Sequence, residues 1–107
     1  MLADPVVASL NELREPEPAV YALDMIRVDD AIPEATTDYP INHETWANRE
    51  PALHTHLMPR YLDEPAEKRF HPACMGYSWA MARPFDPAID ARFIEKISAI
   101  LAPKALP

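Results

Sequence analysis

Glycine is nearly absent from this chain: a single residue, Gly76, stands among 107, against 13 prolines. Ordinary proteins carry about 7% Gly and 5% Pro. Tight two-residue hairpins need positive φ, supplied mostly by Gly or Asn-Gly, so an all-β barrel or sandwich is disfavoured. Gly-rich phosphate loops, of the dinucleotide or the nucleoside-triphosphate kind, are excluded with it. Cysteine is as scarce. A lone Cys74 rules out an intrachain disulfide framework and any multi-Cys zinc module, and it suits a reducing compartment. No run of 18 apolar residues exists, so no transmembrane helix is expected. The opening MLADPVV lacks the basic start and apolar run of a secretory signal. These absences predict a cytoplasmic protein with no membrane association.

What is present is ordinary in bulk. Hydrophobic residues make up 49% and charged residues 25%, which excludes a wholly disordered chain. The length suits one domain. The formal charge is −7 and unevenly placed: residues 1–50 hold eleven acids and three bases, a net −8, and the remainder is close to neutral. An electronegative half repels phosphate, so nucleic-acid binding through a basic face is not expected. A solvated acidic surface accounts for the charge as well as a cationic partner does.

Local signals divide the chain. Asp4-Pro5 reads as a helix start, with Val6, Leu10 and Leu13 on one face. Glu15-Pro16-Glu17-Pro18 reads as a polyproline spacer. Residues 19–28 (AVYALDMIRV) are rich in residues that favour a pleated surface and read as a strand. Residues 29–41, with two prolines and no periodicity, read as an extended segment. Asn42 and Pro51 each suggest a short helix, the second carrying Leu53 and Leu57, and Glu64-Pro65 suggests a third ending near Phe70. In residues 74–83 large and small side chains alternate, fitting a strand by period two; Met75–Trp79 and Tyr77–Met81 fit a helix equally well. Asp86-Pro87 opens the clearest element. Ile89, Phe93, Ile97 and Ile100 predict a helix of about 15 residues, ended by Pro103.

Chemical motifs are thin. His54 and His56 would share one face of a strand and could reach one metal ion, but on a helix over 51–58 they diverge. With His71, and with Glu44 or Cys74 as further donors, they are the metal candidates, although no known zinc spacing is matched and no metal or other cofactor is expected. Adjacent Asp29 and Asp30 face opposite ways on an extended segment and cannot share a proton. His71 and Cys74 straddle a proline, and a lone Cys more often serves as a small buried hydrophobe than as a nucleophile. No catalytic residue is assigned.

The expected fold is mainly α with extended irregular segments, or α+β with one or two short strands. It forms a small single domain over 1–107, with an acidic N-terminal arm at 1–41 and a helical core region at 42–107. The helix after Asp86 and the 74–83 segment would make the packed centre. Aromatic residues in proline-broken segments are the natural anchors for a partner: Tyr39, Trp46, Tyr61, Tyr77, Trp79 and Phe85. The expected function is that of a non-catalytic accessory subunit in a hetero-oligomer, its arms wrapping a larger, enzymatic protein. The alternatives are a small metal- or cofactor-binding protein built on the His-rich middle region, and an acidic inhibitor that imitates nucleic acid.

Overall fold

A computed structural model describes residues 1–36 and 40–103. The elements run α1 (Glu17–Ala35), β1 (Ile41–Glu44), β2 (His56–Pro59), α2 (Ala66–Arg69), α3 (Ala73–Gly76) and α4 (Pro87–Leu101), with single 3-10 turns at Leu10–Glu12 and Trp79–Met81. The fold is thus mainly α with one short antiparallel strand pair, in which Ile41 faces Pro59 and Glu44 faces His56.

Helix α1 overturns three expectations at once. Glu17 and Pro18 lie in its first turn, not in a spacer, and residues 19–28 are helical, not a strand. Residues 29–35 continue the same helix. Pro18 costs nothing there, because first-turn amides have no intrahelical partner. Tyr21, Met25, Val28 and Ile32 recur at helical spacing and are half-buried or buried, so tertiary packing of this stripe outweighs the local β preference. Pro33 forgoes one hydrogen bond near the end. The helix stops at Ala35, where the Thr36 amide and hydroxyl both donate to the Ile32 carbonyl at 2.9 Å.

The N-terminal helix expected from Asp4-Pro5 does not form; only the Leu10–Glu12 turn is helical. A ten-residue helix is marginal alone, and here the backbone has a better partner. Ala3 N–H donates to the Leu53 carbonyl at 3.0 Å, Thr55 N–H to Met1 at 2.8 Å and Leu53 N–H to Val7 at 2.6 Å. The helices expected after Asn42 and Pro51 are likewise replaced by β1 and by the extended run into β2. Backbone pairing satisfies the polar groups that a one-turn helix would leave open.

The core lies where these pieces meet. Ala3, Leu13 and Leu53 are buried together, with Val7 and Tyr21 packed against them. Ala31 and Ile32 of α1 are the other buried apolar residues among those described. Thr55 is 1% exposed; its hydroxyl bonds that of Tyr21 at 2.7 Å and that of Thr45 at 2.8 Å, tying α1 to both strand segments.

Two later expectations hold. Helix α2 follows Pro65 and ends at Phe70. Helix α4 spans 15 residues, with the Asp86 carboxylate accepting from Ala88 N–H at 2.9 Å as its cap. The packed centre expected from α4 and residues 74–83 is not there: neither contributes a buried residue. Helix α4 lies along α1, but residues 74–83 form neither of the two structures weighed for them, dividing instead between α3 and the Trp79–Met81 turn. The radius of gyration is 15.5 Å, larger than the roughly 13 Å of a compact chain of this length.

Candidate partner surface and the histidine cleft

Residues 60–77 leave β2, turn through α2 and α3, and are stapled from beneath by one side chain. Arg60 is 4% exposed. Its Nε and Nη2 donate to the two Glu64 oxygens at 3.1 and 2.9 Å, while Nη1 and Nη2 donate to the carbonyls of His71 at 2.6 Å and Lys68 at 3.0 Å. The Lys68 carbonyl lies in the last turn of α2, where it also accepts from His71 N–H at 3.0 Å, and His71 follows the helix. Glu64 accepts further from Tyr61 N–H and Tyr77 O–H, each at 2.7 Å. The Arg60 guanidinium, then the Tyr61 amide and the Tyr77 hydroxyl, hold the Glu64 carboxyl down at about 2. The same contact pushes the Tyr77 hydroxyl up. Lys68 Nζ sits 4.8 Å from the Tyr77 ring centre, a cation–π contact on the same staple. A second tie comes from β1, whose buried Glu44 accepts from Ala73 N–H at 3.1 Å at the start of α3.

Large apolar side chains along residues 62–85 are open to solvent. Leu62, Phe70, Met75, Trp79, Met81 and Phe85 are each between 64% and 85% exposed. Beside them runs a groove of about 990 Å³, walled by Leu57, Met58, Tyr61, Tyr77, Trp79 and Met81. Across the described chain nineteen large apolar or aromatic side chains are exposed, against five buried apolar ones.

Of the partner anchors read from the sequence, Trp46, Tyr61, Tyr77, Trp79 and Phe85 are all exposed, and Tyr39 lies outside the described residues. Tyr61, Tyr77 and Trp79 share the large groove. Trp46 and Trp79 line a second cleft of about 450 Å³ with His54, His56, Met58 and Cys74. Leu62, Phe70, Met75 and Met81 were not among the anchors. Their shared position in proline-cut pieces too short to bury a face was the available signal.

The histidines separate into three places. The helix expected over 51–58 is absent, so His54 and His56 stand side by side, ring centres 5.0 Å apart. His71 is exposed and does not line their cleft. His43 instead meets Asp29 of α1 at 2.9 Å. Among the described residues no group of three or more His, Cys, Asp or Glu is placed to hold a metal ion. No described helix is long and apolar enough to cross a membrane.

No protein-family model, curated protein or solved structure matches the chain.

Proposed function

We propose that this protein is a non-catalytic accessory subunit whose 61–85 face is covered by a larger, enzymatic partner. The observation that carries the reading is exposure combined with order. Large apolar surfaces are uncommon on free monomers, and a disordered tail would explain exposure without structure. Here Leu62, Phe70 and Met75 stand in solvent on a segment fastened by a buried ion pair, two carbonyl contacts and a cation–π contact, and Trp79, Met81 and Phe85 stand in solvent just after it. Trp, Tyr, Phe and Met are the residues enriched where proteins meet, and a surface ordered in advance loses less freedom on binding.

The sequence alone suggested that residues 1–41 do the wrapping. Ala3 and Leu13 are buried in the chain's own core, which moves the proposed contact to 61–85 and to the exposed Val20, Leu23 and Ile26 of α1. Size-exclusion chromatography of the untagged protein from its natural source tests the reading. It should elute with a larger chain in fixed ratio, and the association should survive high salt, since apolar burial drives it. Elution alone as a monomer overturns the proposal. A complex that dissolves steeply with salt favours an acidic, charge-driven inhibitor instead.

A further inference from the structure

His54 and His56 stand side by side and line one cleft. Residue 56 opens β2 and residue 54 makes an antiparallel bridge to Leu2, so the backbone is extended and the two side chains lie on one face. Between them Thr55 is fixed by the hydroxyls of Tyr21 and Thr45. His54 Nδ1 lies 2.8 Å from the Ala52 carbonyl oxygen. A carbonyl only accepts, so Nδ1 carries the hydrogen, and the neutral ring keeps its lone pair on Nε2. Orientation of this kind by a backbone carbonyl is the usual support of a metal-binding histidine.

The separation also fits. Two imidazoles on one tetrahedral ion, with nitrogen about 2.0–2.1 Å from the metal, place their ring centres about 5 Å apart. The observed 5.0 Å, with the two rings edge to face at 87°, is compatible with that span. Both rings open onto the 450 Å³ cleft, where the Trp79 ring stands 6.4 Å from His56, leaving room for an ion and its further ligands.

We infer that His54 and His56 chelate one divalent transition-metal ion of the copper or zinc class. This chain supplies two nitrogen donors, and water or a partner's side chain completes the coordination. Imidazole suits these ions and not magnesium or calcium, and copper binds such donors more tightly than zinc. The inference does not depend on the accessory-subunit reading.

Calorimetric titration of the untagged full chain with Cu2+, Zn2+ and Mg2+ tests it. One Cu2+ per chain should bind, Zn2+ more weakly, Mg2+ not at all. His54→Ala and His56→Ala should each weaken Cu2+ binding by about tenfold or more, and His71→Ala should not. NMR of the wild-type chain serves as a second readout independent of variant folding. Substoichiometric Cu2+ should broaden the His54 and His56 ring signals before those of His43 and His71. Absence of saturable 1:1 binding, undiminished binding by the double variant, or broadening centred on His43 or His71 overturns the site.

Discussion

Arg60 and Glu64 meet through two hydrogen bonds, Nε to Oε1 at 3.1 Å and Nη2 to Oε2 at 2.9 Å, with side chains 4% and 8% exposed. Paired forks of this kind fix direction as well as distance. Because the same guanidinium also holds the Lys68 and His71 carbonyls, one side chain ties together three points of the 60–71 segment.

Removing one member strands the other's charge in a buried site. Arg60→Ala is expected to cost about 3–5 kcal/mol. The double variant Arg60→Met/Glu64→Leu should cost less, since no buried charge is left behind. Urea unfolding followed by Trp79 emission in a Trp46→Phe background gives both values. Equal stability of Arg60→Ala and the parent chain would show that the pair does not hold the segment.

Acid should release the same segment. The Glu64 carboxyl ionises at about 2, below its ordinary 4.5. A carboxyl depressed on folding contributes stability that is present above its unfolded value and is lost as pH falls toward its folded one. Protection factors of the amides across residues 61–77, corrected for the intrinsic pH dependence of exchange, should therefore fall between about pH 4.5 and about pH 2, and Glu64→Gln should remove that fall. An unchanged profile in Glu64→Gln contradicts the assignment.

Thr55 joins Tyr21 and Thr45 through one hydroxyl. Thr55→Val keeps the shape and removes both bonds, an expected loss of about 1–3 kcal/mol. In a domain of this size that lowers the thermal midpoint by roughly 4 °C or more. Thr55→Ser, which keeps the hydroxyl, should fall between the two. A Thr55→Val midpoint equal to that of the parent chain counts against the hub.

Helix α4 has no buried residue, so its cap matters more than usual. Asp86→Ala removes the acceptor of Ala88 N–H and should cost about 1 kcal/mol. Faster amide exchange at Ala88 and Ile89, with α1 unaffected, is the signature. Asp86→Asn should restore most of the protection, since Asn caps nearly as well. Unchanged exchange in Asp86→Ala would mean that the cap contributes nothing.

Some of this architecture was legible in the residues. The Asp86-Pro87 start, the four-residue spacing of Ile89, Phe93 and Ile97 and the stop at Pro103 are local signals, and α4 follows them. Pro65 and Phe70 likewise bracket α2. Helix α1 was hidden because Val20, Leu23 and Ile26 stay exposed while Tyr21, Met25, Val28 and Ile32 turn inward. With both faces apolar, no single period stands out, although the inward stripe was there to be counted past Asp29-Asp30. The N-terminal segment departs from its local signals for a different reason. Its pairing with Leu53 and Thr55 spans some fifty residues of chain, and no local rule reports such a contact. That pairing keeps 53–55 extended, β1 does the same for 56–59, and together they set His54 and His56 on one face. Exposure of the aromatic anchors followed from proline spacing; the Arg60 staple beneath them did not, since it depends on carbonyls that only the folded turn brings within reach.

Two chains produced in the natural source decide whether the 61–85 surface is a partner interface. One is the untagged wild type. The other carries Trp79→Ser, Met81→Ser and Phe85→Ser, substitutions at exposed positions that should leave the circular dichroism spectrum unchanged. Native mass measurement should find the wild type bound to a larger chain in fixed ratio and the folded variant alone. Wild type found as a free monomer, or the variant retained in the same complex, would contradict the account.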